Sequence, residues 1–294
     1  MAARPLSVPE SSPELNSSIL PATQYTHEQL ASIYNQARVD YIVPMPMNAK
    51  RMAEYIHYYD IDLSASFIAL NDERLETGIG MLGVRGQRSW ITRLGVIPER
   101  RGKHIGLYLM ANLLETSFFR GIKQVQLEVI QGNEPAYQLF LKLGFQHIRE
   151  LLVIRRPPGV PELDPTQEAA QVTWLDEPQI PAYLAQRHEP CSWIDESVSL
   201  LNAGSLRGIV VELPDGETGW VVFQRMAFQL MHFALSPNIT PAALQAALYH
   251  IHKTFASQDT KIENLPVNSP VWQVFQAIGY FEVFRRIEMH VTLQ

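Results

Sequence analysis

The stretch Val96-Ile97-Pro98-Glu99-Arg100-Arg101-Gly102-Lys103-His104-Ile105-Gly106 decides how the first half of this chain folds. An apolar segment that favours a β-strand ends at Pro98, and an amphipathic run that favours an α-helix begins near His104. The loop between them is basic and contains glycine, which permits positive φ angles and a close approach of a ligand to the backbone. Backbone N–H groups of such a loop converge with the positive end of the following helix. The stretch therefore predicts a binding site for a pyrophosphate.

The composition of the chain limits the classes of function that it can have. Its 294 residues suffice for two domains, and a hydrophobic share of 46% is typical of a globular protein. The net charge of −6 argues against a nucleic acid or an anionic membrane as partner, because both select a basic surface. The one cysteine, Cys191, cannot form an internal disulfide, and no cysteine or histidine spacing predicts a metal site. We expect a cytoplasmic protein without a membrane span, acting as a monomer or a homodimer.

The segments around the loop predict the elements that hold it. Two helices are expected from Thr26 and from Asn48, followed by three antiparallel strands that end at Val96. The helix after the loop has one apolar face and ends near Gly121. Residues 123 to 130 alternate in polarity and predict a strand parallel to the one before the loop. Where these parallel neighbours diverge at a β-bulge, a slot for a ligand should open.

Two motifs resemble the signatures of the Gcn5-related N-acetyltransferase (GNAT) family. Residues 101 to 106 look like the family's coenzyme A loop, Arg/Gln-x-x-Gly-x-Gly/Ala, with His104 where the family usually has glycine. Histidine adopts left-handed backbone more readily than most residues, so the turn is still permitted. Residues 133 to 145 resemble Asn-x-x-Ala-x-x-Leu-Tyr-x-x-x-Gly-Phe, with Phe140 in place of the tyrosine. The resemblance covers roughly residues 24 to 156.

What the resemblance implies is direct transfer of an acetyl group from acetyl-coenzyme A to an amine in a ternary complex, without a metal. The end of the strand would polarise the thioester carbonyl through a backbone N–H, and the loop would hold the pyrophosphate. The implied cofactor contacts are Leu94, Gly95, Val96, Arg101, Gly102, Lys103, His104, Ile105, Gly106, Asn133 and Phe140. Asn133 either contacts the cofactor or caps the N-terminus of the next helix. The acceptor stays open between a small amine and a protein N-terminal amine.

Proton transfer requires further groups, because an ammonium has no lone pair with which to attack. Glu128 is the candidate base; alternatively, it is a sheet residue that faces a polar neighbour or solvent. In the family, the tyrosine at the position of Phe140 is thought to protonate the leaving thiolate, which phenylalanine cannot do. Tyr137 lies one helical turn earlier and is either the substitute donor or a packing aromatic. Asp60 and Asp62 either line an amine site or lie in a solvated loop.

The second half of the chain repeats the first. Residues 268 to 280 align without a gap with the segment from Asn133, and the strands and helix before them follow the same order. The equivalent loop, Ser236 to Pro241, has no glycine and no basic residue, and its proline lacks an N–H. We therefore expect a degenerate copy that does not bind coenzyme A.

Together these patterns predict an α/β (α+β) fold with two tandem GNAT-like domains, each a mixed, mostly antiparallel sheet flanked by helices. The expected division is a flexible tail over 1–22, an acetyltransferase domain over 23–156, a linker over 157–170 and a degenerate domain over 171–294. A competing interpretation is a non-catalytic acyl-coenzyme A sensor or scaffold, which Phe140 and the degenerate copy favour. A missing general acid costs on the order of 10²–10⁴ in rate, so Phe140 weakens the enzyme interpretation without removing it.

Overall fold

The computed structural model of the protein describes residues 18–164, 168–169, 171–188 and 190–294. These residues form two compact units. Unit 1 contains the described residues up to Ile148 together with Ile287–Gln294, and unit 2 contains Arg149–Arg286. The division differs from the expected one, because the C-terminal segment of the chain belongs to unit 1. Residues 1–17 of the predicted tail lie outside the described part.

Unit 1 contains the elements that the sequence predicts around the loop. They are β1 (Ser18–Pro21), α1 (His27–Ala37), α2 (Ala49–Tyr58), β2 (Phe67–Leu70), β3 (Glu76–Arg85), β4 (Arg88–Val96), α3 (Ile105–Phe119), β5 (Gln124–Ile130) and α4 (Glu134–Lys142). Strand β1 falls within the segment expected to be a flexible tail and pairs antiparallel with β2. The ordered part of unit 1 therefore begins earlier than predicted.

The first two helices begin where the sequence predicts them, because each has a capping side chain. The Thr26 hydroxyl accepts a hydrogen bond from the Gln29 N–H at 3.2 Å, and the Gln29 side chain accepts one from the Thr26 N–H at 2.8 Å. The Asn48 side chain accepts from the Arg51 N–H at 2.9 Å. These caps satisfy N–H groups that the first turn of a helix leaves without partners.

The sheet of unit 1 runs in the order β1-β2-β3-β4-β5, followed by the end of strand β12 (Phe281–Thr292), which belongs to unit 1 from Ile287. Strands β2, β3 and β4 are antiparallel, and β5 is parallel to β4, as predicted for a strand that follows a crossover helix. Residues of the C-terminal segment fill the core beside α3 and α4. Met289 is fully buried there, and Val291 and Leu293 are 8% and 7% exposed.

Unit 2 repeats this architecture with extra elements at its start. Its elements are β6 (Gln146–Arg156, in unit 2 from Arg149), β7 (Gln171–Leu175), α5 (Ile180–Leu184), α6 (Ser197–Ala203), β8 (Leu206–Glu212), β9 (Thr218–Arg225), β10 (Gln229–Leu235), α7 (Pro241–Thr254), β11 (Asp259–Pro266), α8 (Trp272–Ala277) and β12 (Phe281–Thr292, in unit 1 from Ile287). The sheet order is β6-β11-β10-β9-β8-β7, with β10 and β11 parallel. The described residues of the predicted linker form neither helix nor strand. The predicted fold class is confirmed.

Candidate active site

A break in the sheet of unit 1 opens the site. Strand β4 pairs in parallel with β5 only as far as Ile91 opposite Leu127. Its pairing with β3 becomes irregular just beyond this point, at a bulge where Arg93 has a φ of 52°. The last residues of β4 therefore present one edge that β5 does not use, as the sequence predicts.

The loop after β4 turns through two residues with left-handed backbone. Gly102 has a φ of 77°, and His104 has a φ of 59° and a ψ of 8° immediately before α3. His104 thus takes the conformation that glycine usually supplies at this position. No side chain in the described part of the chain caps α3. The N–H groups of its first turn and the positive end of the helix are therefore available to an anion.

These features border one cleft of about 580 Å³ in unit 1. Among the residues that line it are most of the predicted cofactor contacts: Leu94, Gly95, Val96, Arg101, Gly102, His104, Ile105, Gly106 and Asn133. Two predicted contacts lie elsewhere. Lys103 is exposed beside the loop, and Phe140 is buried in the core, where its ring centroid is 6.0 Å from that of Phe145.

The other wall of the cleft comes from the segment between α1 and α2, which the sequence analysis did not identify. A Cβ atom on Gly95 would lie 3.0 Å from the Cβ of Ala37, so the end of α1 packs directly on β4. The Asn35 side chain holds the far end of the segment, donating to the Met47 carbonyl at 2.8 Å and accepting from its N–H at 2.9 Å. The lining residues from this wall are Ala37, Arg38, Asp40, Tyr41 and Ile42. No motif or periodicity marks them in a single sequence.

Arg101 connects the two walls. Its Nε donates to the Val96 carbonyl at 3.1 Å, and both Nη atoms donate to the Asp40 carboxylate at 2.7 Å. These hydrogen bonds hold the pKa of the Asp40 carboxyl below its usual range. The guanidinium of Arg101 therefore fixes the loop against the α1–α2 segment.

Asn133 combines the two roles that the sequence left open. Its side chain caps α4 by accepting from the Ala136 N–H at 3.4 Å. Its amide also donates to the Tyr41 hydroxyl at 3.2 Å, at the wall of the cleft. The residue thus orders both α4 and the only hydroxyl-bearing side chain among the described lining residues.

Glu128 lies on β5 with its carboxylate hydrogen-bonded to an indole. The Nε1 of Trp90 donates to Glu128 at 2.7 Å, and the Trp90 ring packs against Tyr55 and Tyr59. The Tyr55 hydroxyl is 2.6 Å from the Thr92 hydroxyl, and burial raises the pKa of Tyr55 to about 12. Glu128 is half-buried and faces this aromatic group, and it is not one of the residues that line the cleft.

The remaining candidate residues, Tyr137, Asp60 and Asp62, form contacts outside the lining of the cleft. The Tyr137 hydroxyl is 3.5 Å from Nδ1 of His147, and Tyr137 does not line the cleft. Asp60 accepts from Nε of Arg85 at 2.7 Å. Asp62 caps a short 3₁₀ turn and forms an ion pair with Arg120. The two aspartates thus stabilise the fold of unit 1.

The equivalent helix start of unit 2 has a different chemistry. The Thr240 hydroxyl accepts from the Ala243 N–H at 3.2 Å and donates to the Glu217 carboxylate at 2.8 Å. Pro241, the first residue of α7, has no N–H to offer. This helix start is capped by its own side chain and faces a carboxylate.

The described residues contain no cluster of three or more histidine, cysteine, aspartate or glutamate side chains that could hold a metal ion. Within the same residues, no helix combines the length and apolar character that crossing a membrane requires.

The GNAT resemblance is confirmed by comparison with known proteins. Residues 30–145 match the model of the acetyltransferase (GNAT) family. The match lies within unit 1 and contains both motifs and all the lining residues of the cleft. The chain therefore contains a GNAT acetyltransferase domain in unit 1.

Solved structures extend the likeness over both units. A putative acetyltransferase from Pyrococcus horikoshii is 15% identical, with a TM-score of 0.66 over 98% of this chain and 94% of its own. A GCN5-related N-acetyltransferase from Sphaerobacter thermophilus is 13% identical, with a TM-score of 0.71 over 94% and 96%. A tandem GNAT protein from the clavulanic acid biosynthesis pathway is 14% identical, with a TM-score of 0.63 over 94% and 98%. At these identities the likeness concerns the fold, and it confirms the tandem arrangement.

Proposed function

We propose that this protein transfers an acetyl group from acetyl-coenzyme A to an amine by direct attack in a ternary complex. The observation that carries the proposal is the uncapped start of α3 behind Gly102 and His104, at the open edge of β4. Such a site offers backbone N–H groups and a helix dipole to a pyrophosphate. We also propose a small-molecule or protein N-terminal amine as acceptor, with no nucleic acid as partner.

The first turn of α3 packs close to its neighbours at Gly106. A Cβ atom on Gly106 would lie in van der Waals contact, 3.6 Å from the side chain of Leu139 and 3.7 Å from that of Val96, so a side chain larger than that of alanine would press against these neighbours. The first turn of α3 would hold the pyrophosphate, and the unpaired edge of β4 would hold the pantetheine arm. When bound, acetyl-coenzyme A supplies an activated thioester. The chain supplies the groups that orient it and move protons.

Two side chains are proposed for the proton transfers. Glu128 is oriented by the indole of Trp90 and lies outside the lining of the cleft, so it accepts the proton of the acceptor ammonium through water. Tyr41, oriented by Asn133, is the hydroxyl at the wall of the cleft and replaces Tyr137 as the donor to the departing thiolate. Water shares this second task, because a thiol with a pKa of ~8.5 is a tolerable leaving group.

The test is an assay of thiol release by the full-length protein with acetyl-coenzyme A and a panel of amines. Glu128→Gln is expected to lower kcat by about 10²–10⁴ without weakening acetyl-coenzyme A binding. Glu54→Gln is the matched control and should leave the rate unchanged, because Glu54 is a half-buried carboxylate on α2 that pairs with Lys50 and does not line the cleft. An unaltered rate in Glu128→Gln would exclude this residue as the base.

A second candidate function is a non-catalytic acyl-coenzyme A sensor. It is favoured by Phe140, because the position that bears a tyrosine in the family here carries a core phenylalanine that is 5% exposed. The two functions separate in one experiment. Calorimetric binding of acetyl-coenzyme A without thiol release for any amine of the panel would identify the sensor.

A further inference from the structure

Arg38 is a charged residue of the cleft wall that the proposed chemistry does not use. It ends α1 as the C-cap, and its guanidinium carbon lies 3.5 Å from the ring centroid of Tyr41 and 5.3 Å from that of Tyr34. Its Nε is buried and meets no hydrogen-bond acceptor in the described part of the chain. The residue therefore brings an incompletely satisfied cation to the wall of the cleft.

A second guanidinium lies beside it. Arg93, at the bulge of β4, donates from Nη1 to the Tyr34 hydroxyl at 3.0 Å, and its guanidinium carbon is 5.0 Å from the Tyr34 ring centroid. Burial, and then the charge of Arg93, lower the pKa of Arg38. Both groups nonetheless stay charged, because a guanidinium does not lose its proton in a protein. The wall of the cleft at Arg38 thus carries a positive charge.

Other arginines of unit 1 show how the fold usually balances such charges. Arg101 pairs with Asp40, Arg85 with Asp60, and Arg120 with Asp62. For Arg38, the ring contacts with two tyrosines stand in place of a carboxylate among the described residues. Such contacts only partly offset the burial of a charge.

The position of Arg38 along β4 separates its task from that of the phosphate loop. Its Cγ lies 3.7 Å from where a Cβ of Gly95 would be, and its guanidinium contacts the Tyr34 ring, which also contacts the guanidinium of Arg93 at the bulge. Arg101, by contrast, binds the carbonyl of Val96, where the chain turns toward the loop. Arg38 therefore borders the end of the cleft where the acetyl group would be transferred.

We propose that Arg38 binds a carboxylate of the acceptor, so that the acceptor is an amine of the amino-acid type. This inference rests on the proposed acetyltransferase function. Tyr41 covers one face of the guanidinium, which leaves the N–H groups at its edge as donors. A planar carboxylate accepts two parallel hydrogen bonds from such an edge. The carboxylate end would then be fixed at Arg38 while the amine reaches the thioester.

The experiment compares amines in pairs on the full-length protein. Each L-amino acid is assayed beside the amine that lacks its carboxylate, and O-phosphoethanolamine is assayed beside ethanolamine. We expect kcat/KM to be at least about tenfold higher for the carboxylate-bearing member of the preferred pair, as charge-assisted hydrogen bonds predict. Equal rates for both members, or a preference for the phosphate-bearing amine, would overturn the inference.

Substitutions of Arg38 then test whether this residue causes the preference for the carboxylate. Arg38→Gln should raise KM for the preferred amino acid by about tenfold to a hundredfold and leave KM for its decarboxylated partner unchanged, and Arg38→Lys should recover part of the loss. Arg207→Gln, an exposed arginine on β8, is the control for removal of one positive charge. Calorimetry with acetyl-coenzyme A checks that each variant is folded. If Arg38→Gln instead weakens acetyl-coenzyme A binding and leaves acceptor KM unchanged, Arg38 belongs to the cofactor site.

The failure of this inference is distinct from that of the proposed function. Turnover of amines without a carboxylate preference would leave the acetyltransferase intact and remove the role of Arg38. Binding of acetyl-coenzyme A without turnover of any amine would remove both.

Discussion

The strand and helix that form the cleft of unit 1 have close counterparts in unit 2, and the two pairs differ where the chemistry lies. Strand β10, like β4, bulges at a residue whose φ is 52°, His232 in place of Arg93. Its parallel pairing with β11 stops at Met231 opposite Lys261, just as β4 leaves β5. The sheets of the two units therefore open at equivalent positions.

The helix starts decide whether such an opening can hold a phosphate. In unit 1, Gly102 and His104 turn the chain so that α3 begins without a capping side chain. In unit 2, Thr240 caps α7 and hydrogen-bonds the Glu217 carboxylate, so a negative charge already lies at that helix start. A second anion there would meet repulsion and a proline without an N–H. The opening of the sheet is thus a property of the fold, and the binding of an anion is a property of the loop.

The largest effect is expected from the segment that completes unit 1. Met289→Ala should destabilise unit 1 by about 2–5 kcal/mol, because it empties a fully buried position of the core. Hydrogen exchange should become faster in α3 and stay unchanged in α7. Met226→Ala, at a position that is 36% exposed, is the control. Equal acceleration in both helices would show that the segment is not specific to unit 1.

This segment also marks the limit of what the sequence could predict. Helix starts with local caps, such as Thr26 and Asn48, and strands with clear alternation follow from neighbouring residues, and both are confirmed. The pairing of the chain end with unit 1 depends on residues far apart in sequence, which no local pattern encodes. The same holds for β1, whose four residues in the predicted tail are ordered by pairing with β2.

The same distinction between local and long-range interactions applies to the residues of the candidate site. The loop from Arg101 to Gly106 and Asn133 could be placed from their motifs, because backbone conformation and capping are local properties. Phe140 was expected at the cofactor by analogy of position, yet it packs in the core. The wall from Ala37 to Ile42 was missed, since its role arises only from the packing of α1 against Gly95.

The next largest effect is expected at Gly102 in the phosphate loop, and a second glycine with positive φ serves as the control for backbone strain. Gly102→Val should weaken acetyl-coenzyme A binding at least about tenfold, because a branched residue resists a φ of 77° and the loop would change shape. Gly86→Val places the same strain, at a φ of 56°, in the turn between β3 and β4. Calorimetry should show normal affinity for that control. Normal affinity in both variants would place the cofactor site elsewhere.

A smaller effect is expected at the ion pair between Arg101 and Asp40. Arg101→Gln and Asp40→Asn should each weaken acetyl-coenzyme A binding by less than about fivefold, because both side chains are around half exposed, at 43% and 51%. The double variant should lose no more than either single one. A loss far above tenfold in Arg101→Gln alone would mean that Arg101 contacts the pyrophosphate directly.

The smallest effect is expected at Tyr137. Tyr137→Phe should leave kcat unchanged, because its hydroxyl faces His147 and not the cleft. Tyr41→Phe, assayed in parallel, should lower kcat if its hydroxyl supplies the proton to the thiolate. A fall in kcat for Tyr137→Phe with no change for Tyr41→Phe would restore Tyr137 as the donor.

The most direct test of the contrast between the two units is a calorimetric titration of the full-length protein with acetyl-coenzyme A, repeated on Gly102→Val. We predict one cofactor per chain, bound in unit 1, and at least about tenfold weaker binding in the variant. Two cofactors per chain, or one cofactor bound with unaltered affinity in the variant, would contradict the account.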